Sequence, residues 1–522
     1  MLDLNHILLF LACVSPLVLL GQTWRRGGLD RGWRLAAFAV LIVTGVSWIV
    51  RPATAGFIGG GAWFALLLLP AVGLRKTAEL AVTQRFASAR RLARLLRLLH
   101  PADGLLEQSI LLQALELAQR GDSASALALL APLRNNHTTL GRQAIAASFR
   151  ISGDWENLLR WTRTELSPGI MQTDNAVIPL YLRALGETGS RDELVVEFAA
   201  NVASLTAGQP PLWSYYSSLL AVLAFCGRVE SLGNLLETKL RKLPRHVKEC
   251  WIGTSEIAAG AVAAGRARLE KVLAGTNDHL IRSDIRRRLQ VASEFPLAPL
   301  SPGSDAFLRR IERNDRASGR AFASETMRPT TAVLILIALN VAMFVAEIAN
   351  GGSMNGWTLH RLGALELVAV RVDGEYWRLL TSLFLHFGPL HLLFNLYALF
   401  IIGPGLERAL GAIRFGICYL LSGLGSGLGV LFLRLIGLNS AEQLVGASGC
   451  VMGLVGAWAG LLLRHRDSPL AGRRLKNILM IVAIQTAFDL STPQISMAAH
   501  MSGLVSGFAL GLLFAPRRGV AW

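Results

Sequence analysis

The chain has 522 residues, of which 52% are hydrophobic and 17% charged, with a formal net charge of +17. The length exceeds one ordinary domain, and the apolar excess points to an integral membrane protein and excludes an ordinary soluble one. The charge does not make a nucleic-acid binder, because Arg and Lys cluster beside apolar runs, as in the cytoplasmic loops of membrane proteins. Cys13, Cys226, Cys250, Cys418 and Cys450 form no CxxC pair or metal-ligand spacing, so they read as reduced thiols, with no disulfide framework and no metal site.

In chain order, the first apolar run is Ile7–Leu20. Basic residues follow it (Arg25, Arg26, Arg31, Arg34) and none precede it, which suits a retained helix rather than a cleaved leader. Runs at Leu35–Val50 and Phe57–Leu74 come next, each near the lower limit of roughly 17 residues for spanning a bilayer. Arg75, Lys76, Arg85, Arg90 and Arg91 then mark a cytoplasmic segment. Residues 1–76 therefore read as a membrane module of about three helices running from outside to inside.

Residues 77–295 change character to amphipathic helical spacing. Turns at Gly121, Gly153, Gly189, Gly227 and Gly265 recur at intervals of 32, 36, 38 and 38 residues. This is close to the tetratricopeptide period of about 34, and the stretch resembles divergent repeats of that kind. A cytoplasmic solenoid of helical pairs is expected, able to hold a peptide or protein partner or to act as a spacer. Pro296, Pro299, Pro302 and Gly303 open a basic linker over 296–328.

Residues 329–522 carry six apolar runs: Thr331–Ile348, Leu379–Ile402, Phe415–Ile436, Val445–Leu463, Ile478–Leu490 and Met497–Phe514. The segments Glu407–Arg414 and Arg464–Lys476 and the tail with Arg517 and Arg518 are basic, whereas Asn439–Leu444 and Ser491–Ser496 carry no Lys or Arg. The positive-inside rule then puts the start of this block and the C-terminus in the cytoplasm. With that topology Ser448 opens the fourth run at the outer side, and His500 lies about two turns into the sixth from the same face. A serine hydroxyl needs a base, and an imidazole inside a membrane is expensive enough to be a functional candidate. His391 and Asn395, four residues apart on the second run, share a face at that depth and can hold an oxyanion. Gly503 and Gly507 share a face with His500, while Gly449, Gly453 and Gly456 line the fourth run, so the two helices can approach closely. Each feature alone also fits packing, a proton relay or an interhelical clamp; together they favour a nucleophile and its base.

These residues resemble the rhomboid family of intramembrane serine proteases over about Pro329–Pro516. Trp377-Arg378 matches the family's first-loop pair, and His386, His391 and Asn395 match its second-helix pattern. Gly403, Glu407 and Gly411 match GxxxExxxG; Gly446-Ala447-Ser448-Gly449 matches GxSG; His500, Gly503 and Gly507 match the sixth helix. The resemblance implies an all-α polytopic membrane protein with a six-helix protease domain. It implies Ser448 as nucleophile and His500 as base in a dyad without a third carboxylate, with His391, Asn395 and the Ser448 N–H holding the oxyanion. Trp377, Arg378, Glu407, Gly446, Gly449, Gly503 and Gly507 would be structural. Neither cofactor nor metal is implied. The substrates would be single-pass membrane proteins cut within the lipid bilayer; the compact loops and the fit to the positive-inside rule, rather than the resemblance, point to a bacterial cytoplasmic membrane. Met452 stands where many relatives carry an aromatic ring against the histidine. The other readings are a catalytically silent adaptor using its repeats, and a transporter relaying protons through His500.

Overall fold

The computed structural model describes residues 3–24, 31–100, 105–206, 212–294, 299–321, 329–438, 443–464, 469–492 and 495–515. Arg25, Arg26, Pro296, Arg517 and Arg518, on which the sequence reading drew, lie outside these. Two compact units form: Leu11–Glu312, and Met1–Phe10 together with Arg313–Trp522.

Helix α1 (Leu4–Trp24) belongs to both units, and α2 (Arg31–Val50) and α3 (Pro52–Val82) follow it. The third apolar run is longer than its hydrophobic stretch: α3 continues past Leu74 through Arg75 and Lys76. Its far end, at Leu80 and Ala81, packs on Phe86, Ala89 and Leu112 of the helices that follow. The His100 ring lies 4.5 Å from that of Trp33, and its Nε2 is 2.6 Å from the Leu66 carbonyl. The expected boundary at residue 76 is therefore bridged by continuous helix and shared core.

Beyond α3 the first unit is a succession of short amphipathic helices. Gly121, Gly153, Gly189 and Gly227 all adopt positive φ and end helices as expected. Asp122 and Asp154 then cap the next helices, accepting from the N–H groups of Ser125 and Asn157. The fifth turn is at Gly260 (φ 92), not at Gly265. Gly265 lies inside the helix Val262–Gly275, where a Cβ would meet the Gly253 carbonyl at 2.6 Å, so a close helix crossing is the reason for that glycine. The segment expected as a basic linker contains regular structure. Pro302–Ala321 is a helix, and Leu308 is buried in the same core as Leu182 and Phe198.

The second unit contains α4 (Thr331–Ala349), α5 (Pro389–Leu410), α6 (Ala412–Leu435), α7 (Ser448–Arg464), α8 (Pro469–Ser491) and α9 (Met497–Phe514). Three short helices, Gly356–Leu362, Leu367–Arg371 and Arg378–Thr381, occupy the long loop between α4 and α5. Among the described residues seven helices are long and apolar enough to cross a membrane: α1 to α6 and α9. The protein is a multi-pass integral membrane protein with an all-helical architecture. Helix α7 is apolar but only 17 residues long, and most of its side chains are buried by neighbouring helices. It needs little direct contact with lipid, so its shortness costs little.

Candidate active site

Helices α7 and α9 set the site's register. A Cβ on Gly503, Gly507 or Gly511 would collide with the carbonyls of Gly449, Gly453 and Ala457 respectively. Each step advances four residues on both helices, so they run in the same direction with backbones in contact, as small-residue stripes allow. Helix α6 joins them: Ser426 Oγ donates to the Ala499 carbonyl at 2.8 Å, and Ser422 fills the space beside Gly453. Gly449 thus faces the turn holding Ala499 and His500; a Cβ there would lie 3.6 Å from the Ala499 carbonyl. Ser448, one residue earlier, opens α7 in the layer of His500.

The approach to Ser448 is fixed from outside its helix. Leu444 and Leu365 exchange two backbone hydrogen bonds of 2.9 Å, and the Gly446 N–H donates to the Ser382 carbonyl at 2.9 Å. Gly446 adopts φ +128, which a side chain would strain. A Cβ there would also crowd the neighbouring imidazole, 2.9 Å from His391 Nε2 and 3.7 Å from Ser448 Oγ. The loop carrying Leu365 is pinned in turn by Arg378, only 3% exposed. Its Nη1 donates to the carbonyls of His360 (2.7 Å) and Ala364 (3.0 Å), and its Nε to Glu375 (2.5 Å). Trp377 lies under the same guanidinium, 4.8 Å from ring centre to Cζ.

His391 enters from the first turn of α5. The Phe387 N–H donates to its Nδ1 at 3.3 Å, so a neutral ring carries its proton on Nε2, the nitrogen beside Gly446 and Ser448. The His386 ring packs edge-on against it at 5.3 Å. His386 is held by Glu347 of α4, which accepts its backbone N–H at 2.7 Å. Asn395, one turn beyond His391, is buried, and its Nδ2 has no hydrogen-bond partner among the described residues. A buried amide donor without an acceptor is costly and marks a place where an oxygen can bind. The first N–H groups of α7, beginning at Ser448, lack intrahelical acceptors as at any helix start.

His500 is 5% exposed. Its Nδ1 lies 2.8 Å from Oδ2 of Asp489 on α8. The expected dyad included no carboxylate, and here a buried one lies against His500. Asp489 sits in the apolar run Ile478–Leu490 and was legible as a costly intramembrane acid; its pairing with His500 was not. Met452, one turn after Ser448, is buried at 6% exposure. Glu407 stands apart, capping the start of α4: it accepts from the Ala332 and Val333 N–H groups (3.0 and 2.9 Å) and from the Thr330 hydroxyl.

The rhomboid domain matches residues 373–517, the stretch that contains all of these groups except Glu347, His360, Ala364, Leu365 and the start of α4 at Thr330, Ala332 and Val333. The YdcA rhomboid of Bacillus subtilis is 37% identical over 145 residues, which cover 27% of this chain and 68% of that one. The chain belongs to the rhomboid family. Rhomboid protease GluP of the same bacterium is 36% identical over 208 residues, covering 39% of each chain. The mitochondrial RHOMBOID-like protein 6 of Arabidopsis thaliana is 40% identical over 168 residues, covering 31% of this chain and 52% of its own. This rhomboid thus shares about two fifths to a half of the length of those last two relatives. The whole of the Leu11–Glu312 unit lies outside the domain match.

Proposed function

We propose that this rhomboid is an intramembrane serine endopeptidase in which Ser448 is the nucleophile and His500 the base. The observation that carries the reading is the glycine-locked register of α7 and α9, which sets the Ser448 turn beside the His500 turn, with His391 Nε2 at the same place. In the first step the Ser448 proton passes to His500 Nε2 as Oγ bonds the scissile carbonyl carbon. The displaced π pair makes an oxyanion, accepted by the His391 Nε2–H, the Asn395 amide and the Ser448 N–H. Collapse restores the carbonyl and breaks the C–N bond, and the amine departs with the proton from His500. Water then gives a proton to His500 and attacks the acyl ester, releasing a carboxylic acid and regenerating Ser448.

The proposed substrates are single-pass membrane proteins, cut near the outer face of a bacterial cytoplasmic membrane. Support for that orientation is the placement of Lys and Arg, concentrated in the segments assigned inside. The helical unit of residues 77–295 would be cytoplasmic, its repeats holding a peptide or protein partner.

The test is cleavage of a model transmembrane substrate in liposomes. Ser448→Ala is expected to lower kcat by at least about 10³-fold, and a fluorophosphonate probe should label the native chain but not the variant. Undiminished cleavage by Ser448→Ala would remove the assignment. Absent labelling with intact helix binding would favour the adaptor reading.

A further inference from the structure

We infer that Asp489 is a positioning residue for His500, completing a Ser448–His500–Asp489 relay across three helices. The inference rests on the proposed protease chemistry and adds to it a group outside the dyad. Three observations carry it. First, the pair is buried and well aimed: Nδ1 to Oδ2 is 2.8 Å, with the side chains 6% and 2% exposed. Second, the carboxylate is itself oriented. Gln485, one turn earlier on α8, donates its Nε2–H to the other oxygen, Oδ1, at 2.8 Å. Both oxygens are therefore engaged, and a carboxylate in a membrane block is retained only where such partners compensate for its desolvation. Third, the residue one turn after the nucleophile is Met452, whose thioether neither hydrogen-bonds strongly to an imidazole nor holds it flat. The hydrogen bond from α8 supplies the orientation that this side chain does not.

The chemistry follows from which nitrogen is occupied. A hydrogen bond from Nδ1–H to Asp489 selects the tautomer with its lone pair on Nε2, the form that accepts the Ser448 proton. When that proton arrives the ring becomes an imidazolium, and the adjacent carboxylate stabilises it without taking the proton. Among the described residues His391 on α5 also interacts electrostatically with His500, and its Nδ1 is engaged by the Phe387 N–H. The end of α8 that holds Asp489 is braced within the same unit by the first turns of α1. Phe10 packs edge-on against Phe488 at 4.9 Å, and His6 Nε2 lies 3.2 Å from Thr492 Oγ1.

The experiment uses the full chain in liposomes with a transmembrane substrate, comparing Asp489→Asn and Asp489→Glu with the native protein and with Ser448→Ala. Asp489→Asn is expected to lower kcat by on the order of 10²-fold or more, with KM within about threefold. Asp489→Glu, which keeps the carboxylate, should recover part of that loss. Fluorophosphonate titration counts competent sites and gives the labelling rate per site. A full count with a slowed rate supports positioning. A reduced count with a native rate per site shows that the carboxylate serves only folding and overturns the inference. Native kcat in Asp489→Asn also overturns it while leaving Ser448 as nucleophile. Native cleavage by Ser448→Ala instead removes the protease reading beneath it.

Discussion

The contact between α7 and α9 and the core of the Leu11–Glu312 unit hold helices together by opposite means. Between α7 and α9 the contacts are glycine against backbone: Gly449, Gly453, Gly456 and Gly460 face Gly503, Gly507, Gly511 and their neighbours. In the other unit Leu182, Leu185, Phe198, Leu232 and Trp251 fill the centre. Helices that pack in water gain on the order of 25 cal/mol for each Å² of apolar surface removed, so bulky side chains are favoured. Helices in lipid gain little from exchanging one apolar neighbour for another, and close backbone approach takes over. Charge is handled differently too. Glu187 of the helical unit lies among Arg183, Arg288 and Asp284, all buried, and the Arg288 guanidinium stacks 4.5 Å from the centre of Trp251. In the membrane block Asp489 meets one imidazole and one amide, and Glu347 one backbone N–H, with no guanidinium at either among the described residues.

The largest effect on stability is expected in the ionic cluster. Glu187→Gln leaves Arg183 and Arg288 without their shared partner, at a cost of about 3–5 kcal/mol. Hydrogen exchange over the helices Ile178–Glu187 and His279–Glu294 of the full chain would read that loss. The cluster also predicts an acid dependence. Burial by itself would raise the Glu187 carboxyl, but Arg288 and Arg183 outweigh it and hold the group well below its ordinary 4.5. Because the folded value is the lower one, the stabilisation is complete above pH 4.5 and is lost as pH falls toward about 2. Protection of these helices should drop across that window in the native chain, and the Glu187 component of the drop should be missing in Glu187→Gln.

The next effect probes the glycine contact. Gly507→Ala places a methyl against the Gly453 carbonyl, and overpacking of this kind costs about 1–3 kcal/mol. Cleavage and fluorophosphonate labelling should fall together, because separating α7 from α9 moves Ser448 away from His500, its proposed base. Labelling at the native rate would show that the register of these helices does not position the nucleophile. Smallest is Glu407→Gln, which keeps one acceptor for the start of α4 and should cost about 1 kcal/mol, seen as a modest fall in melting temperature with kcat unchanged.

Much of the site was legible because each residue announced itself locally. Ser448 is framed by glycines, His500 interrupts an apolar run, and His391 and Asn395 share a helical face by spacing alone. Asp489 shows why the rest was not. Its apolar surroundings made it conspicuous, but eleven residues and a helix break separate it from His500, and only the rotation of α8 against α9 decides that the two meet. The fifth turn failed for a related reason. Gly260 and Gly265 both fit the period, and the choice was made by the crossing of two helices at Gly253. Tetratricopeptide-like spacing is a property of the sequence, and the matched domain does not extend to it.

The sequence by itself determined the helical class, the apolar spans, the order of the rhomboid motifs and the serine that opens α7. Those follow from hydrophobic periodicity and from residues whose backbone demands are local. Tertiary structure alone decided that α3 runs on into the helical unit, that residues 302–321 fold as a helix, and that Arg378 holds the loop whose Leu365 pairs with the approach to Ser448. It also decided that the imidazole of His500 is answered by a carboxylate. Each of those depends on a contact between segments distant along the chain, and a hydrogen bond of that kind has no period to read.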